Sequence, residues 1–374
     1  MRVFLNAMLV HTFLNAYVFW KIWKIIPPKY VYKILLLIIF GVELLAYLIG
    51  FVYIDEIPVD ILYPIMVTGT SWAIFILYMT GFLAGYDFVN FLSKWIKAIP
   101  PQLNPKLLRN KRIYTTVTTF IVVIAMIQGS YAFWNPAVTE INIDVNKESE
   151  IKELKIVMVA DIHAGYLINR DILRMYVDKI MEQDPDIIFL VGDIIDYDIY
   201  PLELQRMDEE FQRLKAPYGV FAATGNHEYR LDGEAKIKWL KDKAGMTVLR
   251  DSVVKIENSF YVVGRENDKA PVRKGMKELM KEVDKDYPVI VLNHEPRRLS
   301  EESNEQVDMA FYGHTHNGQI FPYNLLIGLV YEVGYGYKKK DNTHVYVTSG
   351  LGLSGPQFRI GTKSEIVVVH AKFK

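Results

Sequence analysis

The sequence predicts two architectures in one chain: an α-helical membrane domain of four helices, followed by an α/β domain. Three observations lead there. Four apolar stretches of about twenty residues crowd the first third of the chain. Beyond residue 153, short β-branched runs alternate with helical stretches. Polar residues of metal-ligating type recur at the carboxyl ends of those runs, where ligand sites of α/β sheets form.

The apolar stretches are about 3–20, 33–54, 61–83 and 113–134, and together they define a transmembrane domain over 1–134. Each approaches the roughly 20 residues that cross about 30 Å of hydrocarbon as helix. A cleavable leader would account for the first stretch only, and no small-residue cleavage site follows it. Loop charges set a direction. Lys21, Lys24, Lys29 and Lys33 lie between the first two stretches without an acid, and "DEIPVD" between the second and third holds only acids. Lys94, Lys97, Lys106, Arg109, Lys111 and Arg112 face Asp87 alone before the fourth. Cationic loops stay in the cytoplasm, so everything after Trp134 is expected outside it. Glu43 and His11 fall mid-span and could meet at similar depth, as a pair that locks helices together or as a functional site.

Residues 135–153 read as a polar linker, and 154–374 as the α/β domain. Expected strands are 155–160, 186–191, 218–224, 259–264, 287–293, 307–313, 344–350 and 365–373, with a helix over 169–183 behind an Asn cap signal. Residues 1–134 carry net +6 and the remainder net −6. That acidic remainder offers no support for nucleic-acid binding through phosphate contacts. Cysteine is absent, which excludes disulfides and thiolate ligands and leaves the redox compartment open.

Five strand ends carry the chemistry: "VMVADIH", "FLVGDIID", "AATGNHE", "IVLNHE" and "AFYGHTH". One such end would be an ordinary polar turn; five in succession call for a common purpose. Asp161, His163, Asp193, Asn226, His294, His314 and His316 offer oxygen and imidazole donors, which suit manganese first, and also iron, zinc or cobalt. Seven donors exceed one tetrahedral ion and suit two divalent ions sharing a carboxylate. With two anionic donors among seven, the loaded centre is cationic and attracts phosphate. His344 and His370 fall outside the motifs and read as sheet residues.

The ordered set DxH (161–163), GD (192–193), GNHE (225–228), His294 and GHTH (313–316) resembles the calcineurin-like metallophosphoesterases, in particular their bacterial membrane-attached branch. The resemblance covers about residues 150–374. It implies a four-layer αββα sandwich and a metal-dependent hydrolase of phosphoric esters. It implies one ion on Asp161, His163, Asp193 and His316, and a second on Asp193, Asn226, His294 and His314. His227 matches the family's non-ligand histidine, a catalytic group that steadies the transition state or protonates the leaving oxygen. Asp196 is expected to support a ligand or His227, or to be a plain turn residue, and Glu228 is open between the same readings. Arg359 is a candidate contact for an anionic substrate. "GLGLSG" (350–355) fits a dinucleotide fingerprint but lacks the helix, strand and acid that must follow it, and is read as a flexible loop near the metals.

The expected function is a membrane-anchored phosphoesterase facing out of the cytoplasm. Its substrate would be a phosphate ester or pyrophosphate, lipid-linked or part of the cell envelope. Two rivals are a cytoplasm-facing hydrolase of a nucleotide-linked lipid precursor or cyclic nucleotide, and a phosphate-binding membrane receptor or scaffold without turnover. Membrane lipids are the expected surroundings, and no protein partner can be inferred.

Overall fold

The computed structural model describes every residue except 1, 53, 55, 96–110 and 354. The chain divides into two compact units, Met1–Gln128 with Gly355–Gln357, and Gly129–Ser354 with Phe358–Lys374.

The first unit is helical. Its helices are α1 (Arg2–Ile25), α2 (Tyr30–Val52), α3 (Val59–Trp95) and α4 (Lys111–Trp134), the last continuing into the second unit. Three of the four expected spans coincide with candidate membrane-crossing helices, because among the described residues only α2, α3 and α4 are both long and apolar enough to cross a membrane. The 3–20 stretch does form a helix, α1. However, Arg2, Asn6, His11, Asn15, Lys21 and Lys24 dilute its apolar content. α3 runs well past the expected 61–83, to Trp95, so Asp87 lies on a helix rather than in a loop. There it accepts hydrogen bonds from Tyr17 Oη (2.9 Å) and from Lys21 Nζ. Lys97, Lys106 and Arg109, and Asp55 of the acidic loop, lie outside the described residues.

His11 does not meet Glu43 among the described residues. Its ring contacts Asn15 Nδ2 at 3.0 Å and stacks on Tyr47 at 4.0 Å between centroids. Asn15 in turn accepts from Trp72 Nε1 at 2.8 Å. The histidine is therefore used in helix packing.

The second unit has two six-stranded sheets. The first has the order β1-β12-β2-β3-β4-β5, from β1 (Ala137–Val145), β2 (Glu153–Val159), β3 (Ile187–Val191), β4 (Val220–Ala223), β5 (Thr247–Val248) and β12 (Glu365–Phe373). The second has the order β10-β11-β9-β8-β7-β6, from β6 (Ser252–Ile256), β7 (Phe260–Gly264), β8 (Val289–Leu292), β9 (Met309–Tyr312), β10 (Gly336–Lys340) and β11 (Thr343–Val347). Ile156, Phe189, Val191 and Val369 of one sheet pack on Phe260, Ile290 and Phe311 of the other, which forms the inner core. Amphipathic α5 (Arg170–Met181) buries Ile172, Leu173, Tyr176, Val177 and Ile180, and Asn169 Oδ1 caps it by accepting from Ile172 N at 3.1 Å. On the second sheet's outer face, Met276, Leu279 and Leu299 of short helices join Val289 and Val345. These layers make the four-layer αββα sandwich.

One boundary needs correction. Residues 135–153 are not a linker, because β1 occupies 137–145 and pairs in parallel with all of β12. The polar look of this segment comes from its exposed alternate residues, while Ile143 and Val145 turn inward.

Candidate metal centre

β2, β3, β4, β8 and β9 each end just before a site residue, so the parallel strands deliver their polar ends to one edge. Asp161, His163 and His316 bring one donor atom each within 4.8 Å of one another. So do Asp193, His294 and His314, and so do His163, Asp196 and His227. His316 Nε2 lies 3.5 Å from Asp161 Oδ1 and 3.3 Å from His163 Nε2. His294 Nε2 lies 3.2 Å from Asp193 Oδ2, and Asn226 Oδ1 lies 2.8 Å from His314 Nδ1. All seven predicted ligands therefore converge in two clusters. Asp193 Oδ2 reaches both, at 3.9 Å from His163 Nε2.

These residues fit a pair of divalent cations. Two imidazole nitrogens 3.3 Å apart need a proton or a cation between them, and buried His294 Nε2 faces Asp193 Oδ2 at 3.2 Å, where it also needs a proton or a cation. Burial alone would lower the basicity of His294, yet Asp193 and Asp161 push its pKa up to about 10. A cation competes for that same electrostatic well. Burial and the neighbouring His163 hold His316 well below the usual imidazole range, so it stays a neutral donor.

The backbone is specialised to the same end. Asp161, His163, Asp193, His314 and His316 all have positive φ, from 49° to 71°. Such conformations cost about 1–3 kcal/mol each and persist where surrounding contacts over-determine them. The contacts here are specific. His314 N–H donates to Asp161 Oδ2 at 3.0 Å, and His227 N–H donates to Asp193 Oδ1 at 2.7 Å. Space is equally tight, since a Cβ on Gly225 would lie 2.2 Å from Asp193 Oδ1 and one on Gly313 2.5 Å from Asp161 Oδ2.

His227 is buried beside the ligands, with its ring T-shaped to that of His163. Asp196 lies between the two histidines, 2.8 Å from His227 Nδ1 and 3.3 Å from His163 Nδ1. It therefore orients both rings from behind rather than joining the ligand clusters. Its own burial would raise its pKa, but the hydrogen bonds with His163 and His227 lower it, so it stays anionic.

Arg359, a candidate substrate contact, is instead buried against backbone. It is 1% exposed and donates to the carbonyls of Ser349 (2.7 Å), Gly350 (3.0 Å), His316 (3.2 Å) and Gly352. The guanidinium serves the Ser349 and Gly352 carbonyls and adds a second donor to those of Gly350 and His316, which also accept from Glu365 N–H (3.0 Å) and Gln319 N–H (2.9 Å). Desolvation pushes its pKa down to about 10. The expected flexible loop at 350–355 is instead packed at residues 350–353. Leu351 N–H donates to Ala160 O and Gly352 N–H to Asp161 O, both at 2.9 Å.

Glu228 has the most defined role of the residues left open by the sequence. Its fully buried carboxylate accepts four backbone N–H groups, from Asp193 (2.9 Å), Ile194 (2.8 Å), Ile195 (3.1 Å) and Gly225 (2.6 Å). It thereby ties the loop of Asp193 to the loop of Asn226. The only local signal was an acid three residues after Gly225.

The model of the calcineurin-like phosphoesterase family matches residues 154–318. An uncharacterized metallophosphoesterase of Aquifex aeolicus is 32% identical over 67% of this chain and 98% of its own length. One from Campylobacter jejuni is 28% identical over 98% of this chain and 97% of its own, so that likeness extends through the helical unit. A Danio rerio transmembrane protein with metallophosphoesterase domain is 29% identical over 68% of this chain and 62% of its own.

Proposed function

The chain belongs to the calcineurin-like metallophosphoesterases, and from that premise we propose that it is a membrane-anchored, two-metal phosphoesterase acting outside the cytoplasm on a lipid-linked or cell-envelope phosphate ester or pyrophosphate. The observation that carries the reading is the pair of donor clusters sharing Asp193, with His227 beside them but in neither ligand set. As a metal-dependent hydrolase of phosphoric esters, the chain would hold one ion on Asp161, His163, Asp193 and His316. The second would sit on Asp193, Asn226, His294 and His314. Manganese fits this mixed oxygen and imidazole set, as do iron, zinc and cobalt. When bound, such ions polarise phosphoryl oxygens and acidify water toward neutrality.

The chain's own residues do the rest. Asp193 sets the relative position of the two clusters, and Glu228 fixes the loops on either side of it. Asp196 holds His227 Nδ1 and leaves Nε2, 4.0 Å from Asp193 Oδ2, to give a proton to the leaving oxygen. The outward orientation is supported by the acidic loop before α3 and the basic residues before α2 and α4. It does not depend on α1 crossing the membrane.

The test is Asp193→Asn in the purified full chain, assayed on p-nitrophenyl phosphate and its bis-ester with Mn²⁺ and with chelator. Wild type turns over with metal and stops with chelator, and the variant loses turnover. Near-normal turnover by the variant refutes the assignment. A reporter fused after Lys374 reads the side of the membrane independently.

A further inference from the structure

The second unit carries an apolar helix whose outer face no described residue of that unit covers. Tyr323–Val330 (YNLLIGLV) holds six hydrophobic residues and no charge, and none of its residues is buried. Leu325 is 62% exposed, Val330 72% and Leu329 82%. A soluble domain rarely displays such a contiguous patch unless something binds there.

Its position says what does. The segment is pinned to the metal loop, since Thr315 Oγ1 donates to Gly334 O at 2.7 Å and Tyr331 packs edge-on to His314. At its start, Ile320 bridges Ile360, and Phe321 N–H donates to Ile360 O at 2.7 Å. The neighbouring Arg359 N–H donates to Gly129 O at 2.9 Å, in the last two turns of α4, which belong to this same unit. The exposed helix thus sits one short backbone bridge from the point where a membrane-crossing helix ends. Tyr131 and Trp134 stand exposed on those turns, the residue types that settle at a bilayer interface. Just beyond the helix, Lys338, Lys339 and Lys340 on β10 outnumber Glu332 and Asp341 by one; Lys338 and Lys340 pair with Glu332 at 3.1 and 2.7 Å, which leaves a small cationic excess suited to anionic headgroups.

We propose that Tyr323–Val330 lies in the interfacial layer of the bilayer that α4 crosses, with Leu325, Leu326, Leu329 and Val330 among the lipid chains and the lysines at the headgroups. The seating holds the metal loop at the membrane surface, so the phosphate esters presented to it are those borne on lipid. This rests on the membrane reading given under Proposed function, though not on turnover.

The natural absence of cysteine makes the test clean. Single cysteines (Leu329→Cys, Leu325→Cys, Phe120→Cys in α4 and Lys238→Cys on the domain surface) are introduced into the full chain. Each is labelled with an environment-sensitive fluorophore and reconstituted in nanodiscs of phosphatidylcholine and phosphatidylglycerol, with and without doxyl-labelled lipid. The expected result is quenching at 325, 329 and 120 that exceeds position 238 by at least about twofold. Quenching at 120 with 325 and 329 equal to 238 overturns the seating and leaves the spans intact. A blue-shifted but unquenched probe at 329 means the helix is covered by protein, such as a second copy, and also overturns it. An unquenched probe at 120 overturns the membrane reading and this inference with it.

Discussion

Replacing Glu228 with Gln tests whether one buried carboxylate organises the metal loops. The substitution keeps the side chain's shape and removes its charge. Each carboxylate oxygen serves two donors: Oε1 accepts from Ile194 and Ile195, and Oε2 from Asp193 and Gly225. Whichever way the amide is placed, its NH₂ faces two backbone N–H groups that now lack an acceptor. Hydrogen bonds to a charged group contribute about 1.5–3 kcal/mol each, and a buried donor left unpaired costs a similar amount. Two such losses come to roughly 3–5 kcal/mol after allowing for partial relaxation, against a total domain stability of about 5–15 kcal/mol. For a domain of this size about 2–4 °C is lost per kcal/mol, so the melting midpoint of the purified chain should fall by roughly 10 °C. Metal content, measured by plasma mass spectrometry after dialysis, should fall with it, because the loops of Asp193 and Asn226 lose their common anchor. Glu234→Gln, at an exposed acid on the following helix, is the control. A Glu228→Gln protein that melts within about 2 °C of wild type and keeps two ions per chain would refute the reasoning, since the four short contacts would then contribute little.

Other perturbations reach different parts of the molecule. Gly225→Ala places a methyl 2.2 Å from Asp193 Oδ1 and 2.4 Å from its backbone nitrogen, so Asp193 must move; metal affinity by titration calorimetry should drop about 10–100-fold or more, and unchanged affinity would mean the loops are slack. Glu210, buried among Arg170, Arg174 and Arg213, has its pKa lowered from 4.5 to about 2, with burial outweighed by the arginine hydrogen bonds. Because the folded pKa is depressed, its contribution is present above about pH 4.5 and is lost as pH falls toward 2. Those arginines are partly exposed, so screening reduces the contribution to about 1–2 kcal/mol. Chelator-treated wild type should therefore lose more thermal stability between pH 5.5 and pH 3 than Glu210→Gln, and equal losses would show that the ion pairs are not stabilising.

The convergence of the candidate ligands was legible because strand ends are the one place where linear sequence and spatial convergence coincide. A buried parallel strand reads as an apolar run, and whatever follows it must emerge at the sheet's carboxyl edge. Asp161, Asp193, Asn226, His294 and His314 could thus be grouped without coordinates. The three helices long and apolar enough to cross a membrane were legible by the same logic of length and apolar content, and α1 falls short because polar residues interrupt it along its whole length. β1 escaped because a strand with one exposed face alternates, and Ala137–Val145 alternates with Val138, Glu140, Asn142 and Asp144 in view.

What could not be read depends on backbone groups rather than side-chain types. Glu228 acts on N–H groups 33 to 35 residues earlier in the chain, and Arg359 on carbonyls of two separate loops. No composition or spacing rule marks an amide as being in need of a partner. The positive φ at five ligands is hidden for the same reason, since Asp and His tolerate that conformation without announcing it. The side chains proposed to bind metal are therefore only half of the site. The other half is a set of strained turns, whose backbone groups are satisfied by Glu228 below Asp193 and by Arg359 below His316. A carboxylate and a guanidinium are the groups able to satisfy several buried N–H or C=O groups at once. On that account the two residues are not interchangeable with neutral ones, although neither belongs to the ligand clusters.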